Sequence, residues 1–191
     1  MFQHQPRLQD LLELSTYFKS LPETRPKLLL DLVAQAPATD DYNRFLYEFT
    51  KIFRPLRIAE TGTDRGRSAA HFALGWAGTM VLTIDIDPAC STNVRELGLG
   101  QITAVTGDAA EVDLIGPFDV LFIDSLHTQK QARRELDAFR YRMNPGAIAF
   151  YDDIHIDSDM EEFWKSVPEP KIDLSELHFS GFGASIIDGA F

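Results

Sequence analysis

Residues 56–68, Leu-Arg-Ile-Ala-Glu-Thr-Gly-Thr-Asp-Arg-Gly-Arg-Ser, restrict the folds open to this chain more than any other stretch. Leu56, Ile58 and Ala59 form a short apolar run of the length expected for a buried parallel strand. The run ends at Glu60 and turns through Gly62 and Gly66. Ser68, Ala69, Ala70, Phe72, Ala73 and Leu74 then favour a helix with an apolar stripe. Strand, glycine turn and helix in that order bind nucleotide-like cofactors outside the carboxyl end of a sheet. The same order also serves a turn that only packs helix on strand.

From residue 56 onward the pattern alternates. Strands are predicted over 56–60, 81–85, 102–105, 118–123 and 146–151, and helices over 67–76, 91–97 and 128–142. That alternation predicts an α/β fold with a mostly parallel sheet. Asn144-Pro145-Gly146 has the chemistry of a type II turn. Near the end, 178–180 and 184–187 flank Gly181-Phe182-Gly183 and read as an antiparallel hairpin. Ahead of the first strand, apolar residues at helical spacing predict helices over 7–18, through Leu28–Val33, and from Asp40 or Asp41 to Phe53. These helices read as scaffold, placed where they can also cover a site.

The chain of 191 residues is the length of one domain: a helical extension or cover over 1–54 and an α/β core over 55–191. A net charge of −11 argues against nucleic acid or an acidic membrane as partner, because phosphate binding rests on Lys and Arg. One cysteine, Cys90, forms no internal disulfide and fits a reducing cytoplasm. Residues 1–7 lack the layout of a signal peptide, and no apolar run approaches the roughly 20 residues that span a bilayer. The expected location is therefore cytoplasmic, and exposed apolar positions on the first helices permit a homodimer.

The glycine turn separates two cofactors. A dinucleotide fingerprint has a glycine two positions after Gly62, where this chain has Asp64, and an acid there repels a pyrophosphate. S-adenosylmethionine carries no phosphate, and its ammonium suits a carboxylate. The run Glu60-Thr-Gly-Thr-Asp-Arg-Gly66 resembles motif I of the class I S-adenosylmethionine-dependent methyltransferases. That resemblance implies a seven-stranded sheet with helices on both faces and an antiparallel C-terminal hairpin. It also places the methionine part of the cofactor at Glu60, Gly62, Thr63, Gly66 and Ser68. Asp85 ends the second strand some 20-odd residues past the turn, where a carboxylate can accept both ribose hydroxyls; a helix cap is its plainer role. In Thr106-Gly107-Asp108-Ala109, the resemblance implies that Asp108 meets the adenine amino group and the Ala109 amide a ring nitrogen. Asp108 can equally cap the segment that follows.

Chemistry is expected at two strand ends. The fourth strand runs into Asp124-Ser-Leu-His127 and the fifth into Asp152-Asp153-Ile-His155. Parallel strands lie about 4.8 Å apart, so Asp124, Asp152 and Asp153 are expected to gather on one rim. Two bare carboxylates about 4 Å apart repel by roughly 4 kcal/mol, which protonation, a basic neighbour or a cation must relieve. Hard oxygen ligands favour Mg²⁺, Ca²⁺ or Mn²⁺. These paired ends resemble the cation-dependent small-molecule O-methyltransferases and the methyltransferase-24-type family. The resemblance implies a Mg²⁺ site at Asp124, Asp152 and Asp153, further contact of Asp124 with the cofactor and the reacting groups, and His127 as the base. It implies a small hydroxylated acceptor. Trp164, Phe179 and Phe182 are candidates to line its pocket, although aromatic residues more often build core. Two other readings stand beside this one: a noncatalytic S-adenosylmethionine-binding or interaction module, and an NAD(P)-linked oxidoreductase on the same fold class.

Overall fold

The computed structural model of the chain describes Phe2 and residues 5–187, so the stretch read above for a leader lies partly outside the described residues. Three helices come first: α1 (Leu8–Tyr17), α2 (Lys27–Val33) and α3 (Asp40–Phe53). Strands and helices then alternate through β1 (Arg57–Thr61), α4 (Arg67–Gly75), β2 (Met80–Asp85), α5 (Pro88–Glu96), β3 (Ile102–Thr106), β4 (Phe118–Ile123), α6 (Gln129–Phe139) and β5 (Met143–Asp152). The chain closes with α7 (Ser158–Ser166), β6 (Lys171–Asp173) and β7 (Phe182–Ile187).

The seven strands form one sheet in the order β3-β2-β1-β4-β5-β7-β6. The first five are parallel, whereas β7 runs antiparallel to β5 and to β6. After β1 the chain winds one way through β2 and β3, then returns to β4 on the other side of β1. The carboxyl ends of β1 and β4 therefore flank the switch point at which open sheets bind ligands.

Period-two alternation along the strands splits the core into two layers. Ile58, Val120, Phe122, Ile148 and Phe150 face the N-terminal helices and α4. Ala59, Leu121, Ile123, Ala149 and Tyr151 face α6 and α7. Every one of these side chains is buried, as expected for strands covered on both faces. Helix starts are fixed locally: Asp87 accepts the Ala89 amide at 2.8 Å ahead of α5, and Asp157 accepts the Met160 amide at 2.9 Å ahead of α7.

Two elements differ from the reading of the sequence. Within the expected hairpin tip at 181–183, Phe182 and Gly183 begin β7, which pairs on its outer side with the short strand at Lys171–Asp173. Phe182 is fully buried against the rings of Tyr42, Phe45, Phe122 and Phe150, and that burial fixes it in the sheet. Residues 178–180 become a loop. Asn144-Pro145-Gly146 lies inside β5 as a bulge, across which the pairing jumps from Phe118↔Met143 to Val120↔Ile148.

Asp119 holds this irregular start together. It is fully buried and accepts the Leu56 amide at 2.8 Å, the Arg57 amide at 3.2 Å and the Asn144 side-chain amide at 2.7 Å. Asp119→Ala removes a fully buried carboxylate and leaves three part-buried donors without it, and is expected to cost about 3 kcal/mol. For a chain of this size the melting temperature then falls by roughly 6–12 °C. Thermal unfolding followed by circular dichroism reads this directly, and a shift below about 2 °C would show that the bulge is held by other contacts.

Candidate active site

The turn after β1 is folded tightly against the exit of β4. Gly62 has φ +83°, and a Cβ there would lie 1.8 Å from the Asp124 carbonyl oxygen. The Gly62 amide donates to Ile84 O at 2.8 Å and the Asp124 amide to Thr61 O at 3.0 Å, so the parallel ladders run on into both loops. Asp85 clamps the turn from the end of β2. One carboxylate oxygen accepts the Thr63 amide at 2.8 Å and the Asp64 amide at 3.3 Å, while the other accepts the Asp87 amide at 2.9 Å. Burial works against the charge on Asp85, but these backbone donors outweigh it and hold the carboxyl below its ordinary range.

A cavity of about 570 Å³ opens on this rim. Gly62, Thr63 and Ser68 reach it from the first turn and α4, Asp85 from β2, Asp108 and Ala109 from the loop after β3, and Asp124 from the end of β4. Asp108 accepts the Ala110 amide at 2.9 Å and pairs with Arg134 at 3.1 Å. Glu60 and Gly66 sit behind the wall. Gly66 has φ +73° and begins α4; Glu60 is fully buried and accepts a short hydrogen bond from Ser68 Oγ. Burial pushes the Glu60 carboxyl up to about 7 despite that bond.

Across the cavity stand the acids after β4 and β5. Asp124, Asp152 and Asp153 all line it, together with His127. The His127 ring lies between two carboxylates, with Nδ1 at 2.9 Å from Asp153 Oδ2 and Nε2 at 3.4 Å from Asp124 Oδ1. Those two acids raise the His127 pKa to about 10. Burial, then the charge of Asp152, raises Asp124 well above the carboxylate range. Asp153 moves the other way: burial opposes its charge but is outweighed by hydrogen bonds from His127 and Ser180. These directions favour an ionised His127–Asp153 pair and shift Asp124 toward its neutral form.

Other residues reach the site that the sequence reading did not single out. Thr39 and Tyr42 come from the N-terminal segment and His178 from the loop before β7. His178 Nδ1 lies 3.0 Å from Asp152 Oδ1. Among the described residues Asp152, Asp153 and His178 form a group that could hold a metal ion, with ligand atoms within 4.8 Å of one another. Asp124, expected as a ligand, stands outside that group and faces His127. The donor set fits a divalent cation, with two carboxylates and one imidazole on a shared cavity wall. His155 is engaged elsewhere, 2.7 Å from Asp173. Trp164 and Phe182 belong to the core, and Phe179 is exposed.

A family model described as a methyltransferase domain matches residues 59–154. No curated protein sequence matches the chain. Among solved structures, a Podospora anserina methyltransferase with bound S-adenosylhomocysteine is similar over 97% of this chain and 98% of its own, with 16% identity and a TM-score of 0.71. An O-methyltransferase from Bacillus cereus, in complex with the same molecule, is similar over 95% and 100%, with 18% identity and a TM-score of 0.65. A Streptomyces achromogenes O-methyltransferase involved in tomaymycin synthesis, in complex with S-adenosylmethionine, is similar over 93% and 96%, with 17% identity and a TM-score of 0.59.

The burial of Glu60 has a measurable consequence. Its folded pKa of about 7 lies above the ordinary 4.5, so the folded chain holds a proton that the unfolded chain has released between those values. Stability therefore falls as pH rises through that window. Glu60→Gln keeps the neutral shape and is expected to exceed the native chain by on the order of 2–3 kcal/mol at pH 8, with the difference closing near pH 4.5. Denaturant unfolding at both pH values tests this. An equal difference at both would mean that Glu60 is already ionised when buried.

Proposed function

The chain belongs to the methyltransferase domain family, as a class I S-adenosylmethionine-dependent enzyme, and from that premise we propose that it methylates a hydroxyl of a small molecule with the help of a divalent cation. Family membership removes the nicotinamide-linked alternative. One observation carries the finer reading: His127 faces the cavity between Asp124 and Asp153, on the same rim as the Gly62–Thr63 turn. A noncatalytic binding module has no need of an imidazole held in that way.

Methyl transfer is an in-line displacement. A bond forms between the acceptor oxygen and the methyl carbon as the methyl–sulfur bond breaks, its electron pair stays on sulfur, and the acceptor proton leaves. The residues of the chain supply alignment and a place for that proton. The turn from Gly62 to Ser68 receives the methionine part and Asp85 the ribose. His127 takes the acceptor proton on Nε2, whose contact with Asp124 is the looser one at 3.4 Å. Asp153 holds the opposite ring nitrogen at 2.9 Å and stabilises the imidazolium that results. Asp152 and Asp153 would hold the cation. When bound, it polarises the acceptor oxygen and offsets the carboxylate charge that keeps His127 protonated.

The acceptor is small, because the cavity of about 570 Å³ must hold it together with the cofactor. No helix among the described residues is long and apolar enough to cross a membrane.

Calorimetry with S-adenosylhomocysteine tests the premise, and absence of binding at millimolar ligand would remove it. Transfer is followed by mass spectrometry as S-adenosylhomocysteine release over a panel of hydroxylated acceptors. His127→Asn is expected to lower kcat by about 100-fold or more with cofactor affinity unchanged, and chelation is expected to lower it by at least roughly tenfold. Undiminished turnover in the variant removes the base, and undiminished turnover in chelator removes the cation.

A further inference from the structure

We propose that His178 is a metal ligand: with Asp152 and Asp153 it forms a two-carboxylate, one-imidazole site that selects a first-row transition ion over Mg²⁺. The proposal rests on the reading of this rim as a cation site and concerns which ion that site takes.

The separations suit one ion. His178 Nδ1 lies 3.0 Å from Asp152 Oδ1 and 3.5 Å from Asp153 Oδ1. Two ligand atoms about 2.1 Å from a common ion lie about 3.0 Å apart at an octahedral angle and about 3.4 Å apart at a tetrahedral one. All three residues are buried, yet all three line the cavity, so an ion held there faces the space left for the acceptor. Mg²⁺ prefers oxygen donors alone, whereas an imidazole in the set suits iron, nickel, copper or zinc, and Mn²⁺ at the start of that row accepts it more readily than Mg²⁺ does.

The chain is built to bring these groups together. Adjacent side chains on an extended strand point to opposite faces, which would separate Asp152 from Asp153. Asp153 instead has φ +57°, a left-handed conformation uncommon outside glycine, and its carboxylate joins that of Asp152 on the cavity wall. The loop carrying His178 is tied to the same place. The His155 amide donates to Ser180 O at 2.7 Å, and Ser180 Oγ donates to Asp153 Oδ1 in a short bond. Gly181, at φ +94°, lets the two loops close, since a Cβ there would lie 2.8 Å from Ile154 Cγ1 and from the His155 ring. The His178 ring is held edge-on by Tyr42 at 5.1 Å and by Phe179 at 4.7 Å. Asp153 thus serves two partners, with Oδ2 toward His127 and Oδ1 toward His178.

The test uses the full chain stripped of metal by chelation and dialysis. Mn²⁺ binding is read by loss of the free-ion electron paramagnetic resonance signal, Mg²⁺ by competition, and Co²⁺ by its visible absorption. Mn²⁺ is expected to bind at least roughly tenfold tighter than Mg²⁺. His178→Asn is expected to weaken Mn²⁺ by roughly tenfold or more while Mg²⁺ affinity changes by less than about threefold. Equal affinity for the two ions, or unchanged Mn²⁺ affinity in the variant, overturns the proposal and leaves His178 as a loop-holding partner of Asp152. Should the variant fail to fold, the native Co²⁺ complex decides by proton magnetic resonance. A paramagnetically shifted imidazole N–H from a ligating histidine supports the assignment, and its absence overturns it. Calorimetry with S-adenosylhomocysteine on the same samples keeps the outcomes apart: cofactor binding without ion preference defeats this inference alone, whereas absence of cofactor binding defeats the functional reading.

Discussion

The rim depends on a contact that no side chain could survive, the approach of the Gly62 Cα to the Asp124 carbonyl. An added Cβ would overlap that oxygen at 1.8 Å, and the backbone there has φ +83°. Glycine therefore meets a steric and a conformational demand at once. Because the turn lies so close to β4, the Thr63 and Asp64 amides swing toward β2, where Asp85 receives them. The first turn of α4 then starts at Gly66 with Ser68 above Glu60. The glycine turn, Asp85 and the end of β4 are in this way parts of one packed unit, and a shift in one moves the others.

The second governing factor is charge. At about 4 Å and a surface-like dielectric, two carboxylates repel by roughly 4 kcal/mol, and this rim holds three. Each finds a different relief. Asp153 is paired with His127 at 2.9 Å, Asp152 lies 3.0 Å from His178, and burial with the charge of Asp152 pushes Asp124 toward its neutral form. Glu60, behind them, is pushed toward neutrality by burial as well. The imidazoles are thus part of what allows acids to gather at all. An incoming cation would compete with them for the same oxygens, so the resting arrangement and the loaded one draw on one set of donors.

The framework was legible because its signals are local. Five apolar runs of parallel-strand length, four of them running into an acid and the third into Thr106-Gly107, predicted the parallel strands and the rim on which the cavity opens, and the position of Asp85 past the glycine turn placed it on that rim. Three things were not local. The outer partner of β7 is only the three residues Lys171–Asp173, too short for alternation to show. The bulge at Asn144-Pro145-Gly146 keeps turn chemistry while remaining inside a strand, because Asn144 is bonded to the buried Asp119 on β4. His178 lies in a stretch whose pattern suggests a strand, and it enters the site only because the loops at 153–156 and 178–181 are tied together. Sequence position also placed Asp85 and Asp108 at the cavity without revealing that both already carry hydrogen bonds from their own chain.

Tyr42 shows why the N-terminal helices cannot be separated from the chemistry. Its ring stacks on Phe182 at 5.7 Å, in the same aromatic cluster that packs Phe45 and Phe49 of α3 against Phe150 of β5. It also meets Phe122 at 6.3 Å and the ring of His178 at 5.1 Å, and it lines the cavity. Burial, with Asp124 next, raises the Tyr42 pKa, so the phenol stays neutral beside the acids and adds no further charge to the rim. One side chain thus belongs to the hydrophobic core on one face and to the candidate site on the other. The packing that anchors α3 on the sheet also sets Tyr42 against His178, so the order of the site draws on the core as well as on the tied loops that carry its polar groups.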